Sequence, residues 1–145
     1  MNEFLNTLIA LLIVVLSIFL VFKLINVVAV SLRARKVKNK KVNLPPKLSR
    51  ILTDKGCLVL YFSSPTAERG SKKMSNVVKI INEEFKNVVK FDITKDKKEA
   101  ELLNVISAPT TVIIDKNSVV RYYFTGFKPY PSVRRMIEKV TETNL

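Results

Sequence analysis

Few side chains in this sequence are equipped for bond-making chemistry. There is no histidine, there is one cysteine, Cys57, and a cluster of hydroxyls, Ser63, Ser64 and Thr66, follows an apolar run. A hydroxyl becomes a nucleophile only beside a base that takes its proton, and without an imidazole these three are read as turn and helix-capping residues. A lone thiol cannot close an internal disulfide. Zinc-type centres need several imidazole or thiolate ligands, so no metal and no other cofactor is expected. Cys57 opens a buried-looking strand and is read as an inert packing residue. Downstream of the hydroxyls, Ala67-Glu68-Arg69-Gly70 starts a helical pattern. Glu68 and Arg69 there are read as a solvated helix start.

The elements that must position these residues are legible from periodicity. Pro45-Pro46 ends any helix arriving from the amino terminus, and Pro46 suits the first position of a new one because its missing N–H is not needed there. Leu48, Ile51 and Leu52 share one face, and Gly56 is placed to end that helix in a left-handed conformation. Cys57-Leu58-Val59-Leu60-Tyr61-Phe62 is too short and too rich in strand formers to be helical, and its unbroken apolarity predicts a central strand covered on both sides. Met74, Val77, Val78, Ile81 and Phe85 then recur at helical spacing, with Thr66 placed to cap the helix. A second strand is expected over Val88 to Ile93, a short helix around Lys97 to Leu103, and strands over Thr110 to Ile114 and Val119 to Phe124 around an Asp115-Lys116-Asn117-Ser118 turn. Val133, Met136, Ile137 and Val140 mark a final helix. The order is βαβ, then ββα, with a right-handed crossover in the first unit.

With its landmarks, that order resembles the thioredoxin-like superfamily over residues 46–142. The landmarks are Phe62 five residues before Ala67, Val88-Val89-Lys90-Phe91-Asp92, Ser107-Ala108-Pro109-Thr110, and Gly126 after the last strand. The resemblance implies an α/β fold with a central mixed sheet and helices on both faces, and a cis peptide bond before Pro109. It also implies that the paired reactive cysteines of the family would fall at Ala67 and Gly70, where neither residue has a thiol. The buried acid of many members is replaced by Tyr61, and the aromatic residue beside the first cysteine by Thr66. All these departures point away from dithiol exchange.

The amino terminus has a different composition. From Phe4 to Phe22 no residue is charged, a run near the roughly 20 residues a spanning helix requires. It has no preceding cation and no small-residue cleavage pattern, so a retained anchor is expected rather than a removed leader. Of the formal charge of +13, residues 1–50 hold nine cations against Glu3, and residues 51–145 sixteen cations against eleven acids. The division expected is an anchor over 1–32, a basic juxtamembrane linker over 33–46 and a folded domain over 47–145. Cations that follow a span resist translocation, which predicts a cytoplasmic domain. Beside an anionic leaflet they also draw the linker toward lipid headgroups. The cluster has no interleaved aromatics, so nucleic acid is disfavoured as its partner.

These readings lead to a membrane-anchored protein without a dithiol, acting as a protein-binding or scaffold module. The resemblance implies a peptide groove edged by Ala67, Glu68, Arg69, Gly70, Ala108 and Pro109, with Arg69 able to grip a partner carboxylate through two parallel hydrogen bonds. The rival reading is thiol–disulfide oxidoreductase activity through Cys57 or through a partner's cysteines. The question of an enzyme is left open, with the residues leaning against one.

Overall fold

The computed structural model describes residues 1–143, and of residues 68–70 the backbone alone. The chain forms two compact units, Met1–Arg33 and Ala34–Leu145. The first is helical, the greater part of α1 (Asn2–Val37). Its Leu, Ile, Val and Phe side chains are exposed from Phe4 to Val28, and its length and apolarity suffice to cross a membrane. The helix outlasts the apolar run because Arg33, Arg35 and Lys36 are good helix formers, and Arg35 and Lys36 also lie favourably at the negative end of the helix dipole.

In the second unit the elements follow as α2 (Pro46–Lys55), β1 (Cys57–Ser63), α3 (Glu68–Phe85), β2 (Val88–Asp92), α4 (Lys97–Leu102), β3 (Thr110–Asp115), β4 (Val120–Thr125) and α5 (Tyr130–Glu142). Pro46 opens α2, and Gly56 closes it at φ +71°, its N–H bonded to the Leu52 carbonyl at 2.8 Å. A residue with a Cβ adopts that conformation only with strain. The sheet runs β2-β1-β3-β4, with β1 and β2 parallel and the other pairs antiparallel.

Alternation along β1 divides the core in two. Leu58, Leu60 and Phe62 pack with Leu48 and Leu52 of α2, Ala100 of α4, and Val112 and Ile114 of β3. Cys57, Val59 and Tyr61 face the other way, onto Met74, Val78 and Ile81 of α3 and Val133, Ile137 and Val140 of α5. Both faces of β1 are thus sealed, as its unbroken apolar run predicted. The Phe62 and Phe91 rings stack across the parallel pair at 5.2 Å. On the surface, Tyr130 donates to Glu84, and Arg134 bridges Glu84 (3.2 Å) and Glu138 (3.0 Å), which ties α5 to α3.

Two features depart from the sequence reading. Thr66 does not cap α3: the helix starts at Glu68, so the cap position falls on Ala67, and the Thr66 hydroxyl lies 2.9 Å from that of Ser64. The basic segment is not free chain either. Val37 and Val42 are buried, and the stretch between them pairs with the β3–β4 hairpin. Asn39 N–H donates to Val120 O (2.7 Å), Val120 N–H to Lys40 O (3.1 Å) and Val42 N–H to Ser118 O (2.8 Å). This short pairing covers the β4 edge, which otherwise presents unpaired backbone groups.

The hairpin is organised by Asp115, 2% exposed. Its carboxylate accepts from the Asn117 N–H (2.9 Å), the Val119 N–H (3.0 Å) and Arg121 Nε (2.6 Å). Ile113 pairs with Tyr122 but Ile114 with Val120, so Arg121 is the extra residue of a bulge. A bulge re-aims the side chain it carries, and here that side chain reaches back to Asp115.

Candidate functional site

Phe62 near the end of β1 pairs with Thr110 at the start of β3. The turn leaving β1, Ser64 to Ala67, and the loop entering β3, Ser107 to Pro109, therefore emerge at one end of the sheet. The turn is held by its own hydroxyls: Ser64 Oγ meets the Thr66 hydroxyl and accepts the Thr66 N–H, and Ser63 Oγ donates to the Phe91 carbonyl at 3.3 Å. Each of the three has an intramolecular partner.

The loop entering β3 carries a cis Ala108–Pro109 bond. The Thr110 hydroxyl donates to Ser107 O (2.7 Å) and lies 3.1 Å from the Thr125 hydroxyl, while the Gly126 N–H donates to Pro109 O at 2.8 Å. Gly126, at φ +89°, occupies a conformation closed to most residues. These bonds lock the loop from both sides. Among the described residues, the N–H and C=O of Ala108 itself make no hydrogen bond.

Of the six residues read from the sequence as a groove edge, Ala67, Ala108 and Pro109 come to this end of the sheet. Glu68, Arg69 and Gly70 are placed as the first residues of α3, but their side chains lie outside the described residues. Two residues that the sequence reading passed over flank the same loop. Ile106 is 58% exposed and Phe127, next to Gly126, is 51% exposed. Their signal was weak, single apolar residues just outside strand patterns, which ordinarily need no explanation.

Below the turn, Tyr61 stands fully buried with its hydroxyl donating to the Ser71 carbonyl of α3 at 3.1 Å. Burial raises its phenol above the ordinary value, so it neither gives nor takes a proton near neutrality. An open hollow beside it, between α3 and the end of β2, is lined by Ser64, Lys72, Lys90 and Asp92 among others. The Thr94 hydroxyl (2.6 Å) and N–H (2.9 Å) both donate to Asp92 and hold its carboxyl below the usual range. Asp92 therefore stays ionised and is no general acid at neutral pH. No cluster of three metal-ligating side chains occurs among the described residues.

Cys57 lies at the other end of β1, paired with Asp115 and 1% exposed. Burial, with a further contribution from the Asp115 charge, pushes its thiol up to about 12. Since the thiolate is the nucleophile, alkylation at neutral pH is expected to be negligible in the folded chain and rapid after denaturation. The same shift makes folding pH-dependent. An unfolded thiol ionises near 9.0, so the stability gained by keeping it protonated is complete below that value and is lost as pH rises toward 12. At about pH 10.5 the loss is about 2 kcal/mol, and Cys57→Ala is expected to flatten the high-pH limb of a denaturation series by that amount.

No family model and no curated protein matches the chain. Solved structures do. A thioredoxin mutant from Halobacterium salinarum NRC-1 superposes with a TM-score of 0.60 at 18% identity, covering 72% of this chain and 91% of that one. Fasciola hepatica thioredoxin gives 0.53 at 20% identity, over 63% and 89%. Chloroplastic thioredoxin z gives 0.53 at 19% identity, over 71% and 96%. At these identities the likeness speaks for architecture, and it agrees with the sheet order and the two-sided core: this chain has the thioredoxin-like fold, preceded by an apolar helix of membrane-spanning length.

Proposed function

We propose that the protein is a membrane-anchored, peptide- or protein-binding module that recognises an extended segment without reacting with it. The carrying observation is the state of the sheet end around Ala108. Its backbone donor and acceptor are unengaged among the described residues, its loop is locked by Thr110 and Gly126, and exposed Ile106 and Phe127 flank it. An added strand needs such a backbone pair for affinity and apolar flanks for selectivity. Ala67 and Gly70 offer no nucleophile at the neighbouring helix start. The alternative, thiol–disulfide chemistry through Cys57, is opposed by that residue's burial at the far end of β1 and by its raised pKa.

In this reading residues 1–32 are the anchor and 33–46 a basic segment facing anionic lipid, with the folded domain cytoplasmic. A reporter active only outside the membrane, fused after Leu145, is expected to stay silent. The binding role is tested by a photo-crosslinking amino acid at position 106 in the membrane-embedded chain. Capture of a discrete partner, lost when the probe is moved to position 55, exposed at the other end of β1, supports the reading. Equal capture from both positions contradicts it.

A further inference from the structure

We propose that Lys38, Arg121 and Lys139 form a binding site for the phosphate of an anionic lipid headgroup. The three come from distant parts of the sequence: Lys38 follows α1 directly, Arg121 is the bulged residue of β4, and Lys139 lies in the last turn of α5. They meet in one groove of about 320 Å³, which Tyr122 also lines. All of these residues belong to the folded unit.

Each cation has a distinct reason to be there. Pairing of residues 39–42 with the hairpin holds Lys38 beside β4. The bulge turns Arg121 out of the strand alternation, and Asp115 fixes it through Nε alone. Lys139 projects from α5 where its carbonyl is already capped by the Thr143 N–H (3.1 Å) and hydroxyl (2.8 Å). Among the described residues, neither Lys38 nor Lys139 has a carboxylate within ion-pair distance. Among the described residues Glu142 is the one acid lining the groove, and with Arg121 already paired to Asp115 the excess positive charge is that of Lys38 and Lys139. Such an excess favours an anion with several acceptor oxygens, and phosphate matches both a guanidinium fork and point-charge ammonium groups.

Chain connectivity selects lipid as the source. Lys38 is six residues past Leu32, the end of the expected anchor, so in sequence the groove's first cation is tethered directly to the membrane segment. Lys36, Lys40 and Lys41 add cations on either side of it. The linker alone would be drawn to such a surface. What the fold adds is Lys139, a hundred residues later, in the same groove.

The test uses the full chain in bilayer nanodiscs, either of phosphatidylcholine alone or with a third of it replaced by phosphatidylglycerol, and reads acylation of individual lysines by mass spectrometry. Anionic lipid is expected to slow labelling of Lys139 by about threefold or more, while Lys72, at the opposite end of the sheet, is unchanged. Lys139→Gln, an exposed substitution that leaves the Arg121–Asp115 pair intact, is expected to weaken the lipid-dependent protection of Lys38. Inorganic phosphate added to neutral nanodiscs is expected to give no comparable protection. Equal protection by free phosphate would overturn the lipid assignment, and unprotected Lys139 in anionic bilayers would overturn the site.

Discussion

Asp115→Ala is expected to lower folding stability by about 3 kcal/mol, measured as the shift in urea midpoint at constant slope. The substitution removes the acceptor for the Asn117 and Val119 amides and the partner of Arg121. Hydrogen bonds to a charged acceptor are each worth about 1.5–3 kcal/mol, but Arg121 is partly exposed and regains water, which limits the total. Asp115→Asn keeps an acceptor and is expected to cost about half as much. The effect extends beyond the turn, because Val120 and Ser118 also hold residues 39–42. A second readout is independent of stability. Asp115 contributes to raising the Cys57 pKa, so in the alanine variant the thiol is expected to alkylate faster under native conditions.

The second large effect is a gain. Ala67→Cys combined with Gly70→Cys is expected to raise the rate of insulin disulfide reduction by at least about tenfold over the parent chain. Position 67 is the cap of α3, where unpaired amides and the helix dipole favour a thiolate, and position 70 follows at a spacing that returns to the same face. Tyr61 occupies the buried place beneath, and its raised pKa prevents it from relaying a proton. The engineered rate is therefore expected to increase further in Tyr61→Asp, provided that variant folds with a carboxyl in a site built for a phenol. Ordinary exposed thiols in the double variant, with no rate above the parent, would mean that position 67 does not open α3 as described.

Much of this architecture can be read from local pattern. Pro46 and Gly56 bracket α2 because each residue is chemically suited to one end of a helix. The apolar run of β1 announces burial on both faces, and the heptad-like spacing from Met74 to Ile81 announces the helix that covers one of them. The rest depends on contacts that local pattern does not encode. A single inserted residue at Arg121 leaves β4 looking like any alternating strand, yet it creates the pair with Asp115 and places a cation in the groove with Lys38 and Lys139. Residues 39–42 read as a charged linker because their pairing is through backbone, whose hydrogen bonds are indifferent to side chain. Thr66 has the right chemistry for a cap but sits one residue too early, and only the start of α3 at Glu68 decides that. In the candidate site, Ala108 and Pro109 were legible through the Ser-Ala-Pro-Thr run. Ile106 and Phe127 acquire meaning only once Gly126 is bonded to Pro109.

The central claim is non-covalent recognition at the Ala108 end of the sheet. Its most direct test is affinity for peptides selected from a random displayed library on the full chain in nanodiscs, measured against Ile106→Asp and Phe127→Asp. Both side chains are exposed, so neither change should disturb folding. Selected peptides are expected to lose about tenfold or more in affinity to each variant. Peptides that bind the parent and both variants equally would place recognition elsewhere on the molecule and contradict it.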